Sequence, residues 1–439
     1  MLLGPELACW CVPGFEDRTV DIVRERIVSI ASQSRLVTDI MWLAVPRFGV
    51  PPQITEIESV EFSYELSDVG TDGNGFNLVY EPGSTTTRKL FALSIETDAG
   101  ITGEYVGGNS PAAAQINTFA DYLVGENPLE RERHWSEIKR GLRKYDRMGI
   151  GPVDIALWDF AGKYYDAPIH ELLGTYTTRL PTYASTYHAD DNGGLDSPEA
   201  YADFAEECLE LGYPGFKIHG WGGGDAARDI DREIETVHAV GDRVGDEMDL
   251  MIDPACEYQT YGDAIKVGRA CDEQDFFWYE DPYRDGGISQ HAHRKLRESL
   301  ETPILQTEHV RGLEPFTDFI ATDATDFVRA DPEYDGGITG AIKRARIAEG
   351  FGLDVEFHAP GPAQRQCLAA IRNANYYERA LVHPDCANTQ PPVYRGEYSE
   401  ALEAIDDDGT VPVPDGSGLG VEYDWEFIEE NAIGRRVYN

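Results

Sequence analysis

The chain has 439 residues, of which 41% are hydrophobic and 11% aromatic, so it has the length of two or three domains and enough apolar mass for a sizeable core. A disordered polypeptide is excluded, and no uncharged apolar run of about 18 residues offers a membrane span. Asp and Glu number 79 against 37 Lys and Arg, a net charge of −42 that repels nucleic acid and anionic lipid and excludes both as partners.

Only eight of the 37 cationic residues are lysine. Excess acid with scarce lysine resembles the cytoplasmic proteins of extreme halophiles, where molar salt shortens the Debye length to about 3 Å. The seven cysteines are scattered and lack a Cys-x-x-Cys pair. They read as reduced thiols of a cytoplasmic protein, with Cys9-Trp10-Cys11 too few ligands for a structural zinc.

Residues 1–53 read as an appended extension, with one candidate helix over 20–34 and a breaker-rich linker over 45–52. Alternating apolar and polar residues over 54–66, 88–97 and 102–107 predict an antiparallel meander, and helical periodicity follows over 111–123, 128–144 and 151–165. Strands followed by helices predict an α+β unit over 54–178. From residue 179 short apolar runs alternate with amphipathic stretches: 182–185, 215–219, 249–253, 276–280, 303–307, 327–330 and 353–357. Repeated βα units in this number predict an α/β fold with a parallel barrel over 179–400, and the turn-rich segment 401–439 is expected to leave it and pack back on the α+β unit.

Barrel enzymes carry their chemistry at the carboxyl ends of the strands. Here those ends present His219, Asp253, Glu280, Glu308, Asp331 and His358, spaced by 34, 27, 28, 23 and 27 residues. One ionisable group per βα repeat is hard to ascribe to chance. Asp253, Glu280 and Glu308 stand on three adjacent strands, and three clustered carboxylates repel unless a cation holds them. Hard oxygen donors suit Mg²⁺. Lys217 and His219, two apart on a strand, point to the same face, and an ammonium beside an imidazole disfavours a second positive charge, leaving the ring ready to accept a proton. Asp331 beside His358 would fix the ring tautomer and raise its basicity. Glu378 ends an eighth strand-like segment. His291-Ala-His293 falls in a helical stretch and reads as surface, and Gly220–Gly224 reads as a flexible loop.

The stretch Gly151-Pro-Val-Asp-Ile-Ala-Leu-Trp-Asp-Phe-Ala-Gly-Lys163, with Pro168 and Leu172-Leu-Gly174, resembles the enolase superfamily, in particular its mandelate racemase/muconate lactonizing branch. The strand-end series, Tyr279-Glu-Asp-Pro282 and Pro414-Asp-Gly-Ser-Gly-Leu-Gly420 are similar to the same branch. The resemblance covers about residues 54–425. It implies a (β/α)7β TIM-like barrel under an N-terminal α+β capping domain, Mg²⁺ on Asp253, Glu280 and Glu308, a mandelate-racemase-like His358–Asp331 dyad, Glu378 assisting at the substrate carboxylate, and a homo-oligomer. Where relatives often carry Lys-x-Lys, this chain has Lys217-Ile-His219, so either residue could move the proton. The expected activity is abstraction of the proton α to the carboxylate of a small-molecule substrate. Dehydration of a sugar acid comes first, racemisation or epimerisation second, and a non-catalytic sugar-acid binder is a distant third. Specificity is expected from mobile cap loops over 67–76 and 81–87, rich in Gly and Asp.

Overall fold

The computed structural model describes residues 51–73, 75–221 and 229–439. The helix expected over 20–34, the Cys9-Trp10-Cys11 triplet, most of the 45–52 stretch and Gly222–Gly224 lie outside them. Strands β1 (Ile54–Thr71) and β2 (Leu78–Thr97) form one long antiparallel hairpin, with β3 (Thr102–Gly107) on the far edge of β2. Period-2 alternation explains the sheet. Ile57, Phe91, Leu93 and Ile95 enter a core shared with the cap helices, whereas Val60, Phe62 and Tyr64 enter a second core with Tyr423 and Ile428.

The segments 67–76 and 81–87 are not the loops expected of them. Residues 67–71, half of the first, and all of the second belong to the hairpin's strands, which pair from Ser67↔Thr85 through Thr71↔Leu78. Asp68 and Gly83 are absorbed without ending the strands: the register shifts between Ser67 and Val69, Asp68 takes φ 61°, and its carboxylate accepts from the Gly83 amide at 2.7 Å. The hairpin reaches the barrel, where Val79 pairs with His188 and the Tyr80 ring stacks on His383 at 4.8 Å.

Helices α1 (Ser110–Ile116), α2 (Ala120–Leu123), α3 (Arg131–Gly141), α4 (Ile150–Tyr165) and α5 (Ile169–Leu173) follow. The single helix expected over 111–123 is split at Asn117, which caps α1. Helix α4 is buried along almost its whole length and explains the motif 151–163. Asp154 accepts from the Thr339 amide at 2.9 Å and from its hydroxyl at 2.7 Å. Asp159 accepts from the amides of Glu104 and Leu419, at 2.8 and 2.9 Å. A Cβ on Gly162 would stand 2.4 Å from Gly418 Cα, so only glycine permits this approach. One helix therefore ties the cap, the barrel and the C-terminal segment together.

The barrel strands are β4 (Arg179–His188), β5 (Gly215–His219), β6 (Asp249–Asp253), β7 (Trp278–Glu280), β8 (Ile304–Gln306), β9 (Phe327–Ala330), β10 (Val355–Phe357) and β11 (Tyr377–Val382). Each strand from β4 to β10 pairs in parallel with the next, and β11 pairs in parallel with β4. Seven helices alternate with them: α6 (Pro198–Glu210), α7 (Ile230–Val244), α8 (Tyr261–Glu273), α9 (Gln290–Arg297), α10 (Leu313–Ala321), α11 (Gly337–Phe351) and α12 (Pro362–Leu368). The fold is the expected α/β barrel with an N-terminal cap. At the seam between β10 and β11 the Glu356 carboxylate accepts from the Asn375 and Tyr376 amides, at 3.1 and 3.2 Å. Tyr183, Met251, Trp278 and Leu305 fill the interior. Met251 and Trp278 lie two residues before Asp253 and Glu280, so an apolar floor stands beneath the polar rim.

Beyond the barrel, β12 (Tyr394–Arg395) pairs with β14 (Glu422–Tyr423), and β13 (Thr410–Pro412) runs antiparallel to β4. After α13 (Trp425–Glu430), β15 (Ala432–Tyr438) adds to β1 of the cap. Among the described residues no helix is long and apolar enough to cross a membrane.

Candidate active site

In-register pairing sets His219 beside Asp253 and aligns the neighbouring strands through Ile252↔Tyr279 and Glu280↔Leu305, which brings the ionisable ends to one rim. Lys217 and His219 share a face, as their spacing requires. Lys217 Nζ is buried and lies 2.8 Å from Glu378, 3.1 Å from Glu280 and 3.5 Å from Asp253. Burial opposes its charge, but Glu280 and Glu378 outweigh it and hold the ammonium well above its usual range. A lysine so held is a source of positive charge rather than a base. Burial likewise works against the Glu378 carboxylate, yet Lys217 and Arg329 hold it well below the usual range.

His219 Nδ1 lies 2.7 Å from the Thr186 carbonyl, which can only accept, so that nitrogen carries the proton. Nε2 then faces Asp253 Oδ2 at 3.1 Å. On the other side of the cluster His358 Nδ1 meets Asp331 Oδ2 at 2.6 Å and Nε2 faces Glu308 at 3.5 Å. Burial disfavours the His358 imidazolium, but Glu308 and Asp331 override it and push the group up to about 10. Of the residues singled out from the sequence, Lys217, His219, Asp253, Glu280 and Glu378 thus form one set of contacts and His358, Asp331 and Glu308 another, with oxygens of Glu280 and Glu308 within 4.8 Å of each other.

Several members went unrecognised in the sequence. Arg329 grips Glu280 with two nitrogens, at 2.5 and 2.8 Å, and donates to the Tyr183 hydroxyl at 3.0 Å. Two residues before Asp331 on a strand, it follows the same spacing rule that paired Lys217 with His219. Asp281 is the second. Glu280, Asp281 and Glu308 each place an oxygen within 4.8 Å of the others, and Asp253 joins them through Lys217. Burial, with Glu308, Asp253 and Glu280 close by, pushes the Asp281 carboxyl well above its usual range, and its buried Oδ1 has no hydrogen-bond partner among the described residues. Buried, mutually repelling carboxylates with an unsatisfied oxygen fit a hard divalent cation. His188 is the third, its ring centre 5.1 Å from that of His219. His293, expected at the surface, is instead buried against Tyr283 and Phe319.

A family model described as enolase C-terminal domain-like matches residues 200–427, and the mandelate racemase/muconate lactonizing enzyme N-terminal domain matches residues 78–174. The chain belongs to the mandelate racemase/muconate lactonizing enzyme family of the enolase superfamily. Among its relatives in this family, D-galactarolactone cycloisomerase of Agrobacterium fabrum is 28% identical over 78% of this chain and 91% of its own. D-xylonate dehydratase of Haloferax volcanii is 28% identical over 78% of this chain and 85% of its own. The crystal structure of D-glucarate dehydratase from Agrobacterium tumefaciens complexed with magnesium superposes with a TM-score of 0.75 at 29% identity, covering 87% of this chain and 99% of that one. The distant relatives of this enzyme are thus mostly sugar acid dehydratases and cycloisomerases.

Proposed function

We propose that the chain is a Mg²⁺-dependent lyase that removes the proton α to a carboxylate and dehydrates a sugar acid, an aldonate or aldarate, to a 2-keto-3-deoxy acid. The observation that carries this reading is the placement of two imidazoles at opposite ends of one carboxylate cluster, His219 at Asp253 and His358 at Glu308. The dehydratases among the relatives, one of them solved with magnesium, support it.

Asp253, Glu280 and Glu308 are the residues that would hold the ion. Once bound, it would neutralise the substrate carboxylate and stabilise the charge that builds there as the α-proton leaves. The general scheme is that of the superfamily. What this chain adds is the division of labour around the α-carbon. His219 and His358 flank it: the His219 ring takes the proton, and His358, held charged by Glu308 and Asp331, delivers one to the departing β-hydroxyl. Asp331 fixes the His358 tautomer and steadies the imidazolium. Lys217 stays charged and adds positive potential where negative charge develops. Glu378 accepts from the Ala359 amide at 2.8 Å and so holds the segment after His358 against the Lys217–Arg329 pair.

Racemisation is the second reading, favoured by the same two rings, because a proton taken by one can return from the other. Incubating the protein and Mg²⁺ with a panel of aldonic and aldaric acids separates the two. Keto-acid release from one or a few members is the expected result. Recovery of the C2 epimer without keto acid would establish the second reading in its place, and neither product from any member would overturn both.

A further inference from the structure

Immediately beyond the carboxylate cluster lies a second group of different chemistry. Cys256, three residues past β6, Asp281, one past β7, and His309, three past β8, each offer a ligand atom within 4.8 Å of the others. His309 Nε2 stands 3.3 Å from Asp281 Oδ2 and 3.8 Å from Glu308. Asp281 thus lies between two sets, with Glu280 and Glu308 on one side and a thiol and an imidazole on the other.

A further observation points to a ligand. Asp281 is only 1% exposed and its Oδ1 has no hydrogen-bond partner among the described residues, which is costly for a buried carboxylate oxygen. Gly287 (φ 71°) packs closely on both side chains, since a Cβ there would lie 2.5 Å from Asp281 Oδ1 and 3.3 Å from His309 Cδ2, so only glycine permits this approach. The backbone also turns to aim these side chains, with left-handed φ values of 63° at Cys256 and 36° at Asp281.

We propose that Cys256, Asp281 and His309 form a binding site for a borderline-soft divalent cation of the zinc class, separate from the all-oxygen site and bridged to it by the Asp281 carboxylate. Sulfur, nitrogen and a single oxygen select Zn²⁺ or Co²⁺ over Mg²⁺, whereas Asp253, Glu280 and Glu308 select the reverse. Paired sites sharing a carboxylate hold ions about 3.5–4 Å apart. A cation here would fasten the loops after three successive strands. The His309 side chain is 37% exposed, so the group lies within reach of solvent.

The test is a Co²⁺ titration of the full-length chain, stripped with chelator and then saturated with Mg²⁺. Expected is about one equivalent of Co²⁺ per chain with a sulfur-to-cobalt charge-transfer band in the near ultraviolet. Cys256→Ser should lose both the band and the equivalent, and Asp253→Asn should keep them. His309→Asn should also weaken Co²⁺ binding, and it carries the test if the cysteine variant does not fold. No band in the wild type, a band that survives Cys256→Ser, or one that vanishes in Asp253→Asn would overturn the proposal. None of these results bears on Mg²⁺-dependent turnover, so the assignment of the oxygen site stands or falls apart from it.

Discussion

His358 pairs with Asp331 and Glu308 and stacks on the Tyr334 ring, so His358→Asn, which keeps a polar side chain there, should remove a proton donor and acceptor while leaving the fold intact. Turnover should fall about 10²–10⁴-fold with Mg²⁺ affinity unchanged by calorimetry, and retained full activity would take the dyad out of the mechanism. Arg329 is a different case. It is fully buried and offsets Glu280 and, more distantly, Glu378, so Arg329→Met leaves two carboxylates short of a counter-charge. Urea denaturation should show a loss of about 3–5 kcal/mol, and a loss below about 1 kcal/mol would mean that Lys217 alone suffices. The sequence made the strand-end residues legible because each closes a short apolar run one βα repeat after the last. Arg329 was hidden by standing inside its run, before Ala330, where burial of a cation is the exception. Asp281 was hidden for another reason. Alternation sends the residue after Glu280 to the opposite face, and only the left-handed backbone at Asp281 returns its carboxylate to the site.

At the scale of elements, the periodicities of β1–β3 and of the barrel strands were readable because one face of each run is apolar, and α4 because a buried helix is apolar nearly all round. The cap hairpin was misread at Ser67–Phe76 and Glu81–Thr87 because Gly and Asp usually end strands, whereas here Asp68 and Gly83 form a paired irregularity within one. Helix α4 supplies a pH prediction. Burial pushes the Asp154 carboxyl up to about 7, against the pull of its Thr339 hydrogen bonds. The folded chain therefore holds a proton there that the unfolded chain releases near its ordinary value of 3.8. This contribution is complete below pH 3.8 and is lost as pH rises through 7, so stability should decline across that window. Asp154→Asn should flatten the decline by at most about 1.4 kcal/mol per pH unit in denaturation midpoints followed against pH. An unchanged slope would show that the carboxylate is already ionised when folded.

For the whole molecule the dominant feature is net charge, −42 over 439 residues. Self-repulsion of that size penalises the compact state in dilute buffer and is screened as the Debye length contracts. Melting temperature and activity should both rise from dilute buffer into molar KCl, and a steady fall over that range would contradict the electrostatic reading. The barrel brings six strand ends and an eighth-strand glutamate to one rim, and the central claim is that this rim exchanges the proton α to a carboxylate. The most direct test is deuterium incorporation at C2 of recovered sugar acid or in the derived keto acid, in D₂O with and without Mg²⁺. Label that enters only with the ion, and that is lost on changing both His219 and His358 to Asn, is the predicted result. Turnover without label, or exchange that persists in the double variant, would contradict it.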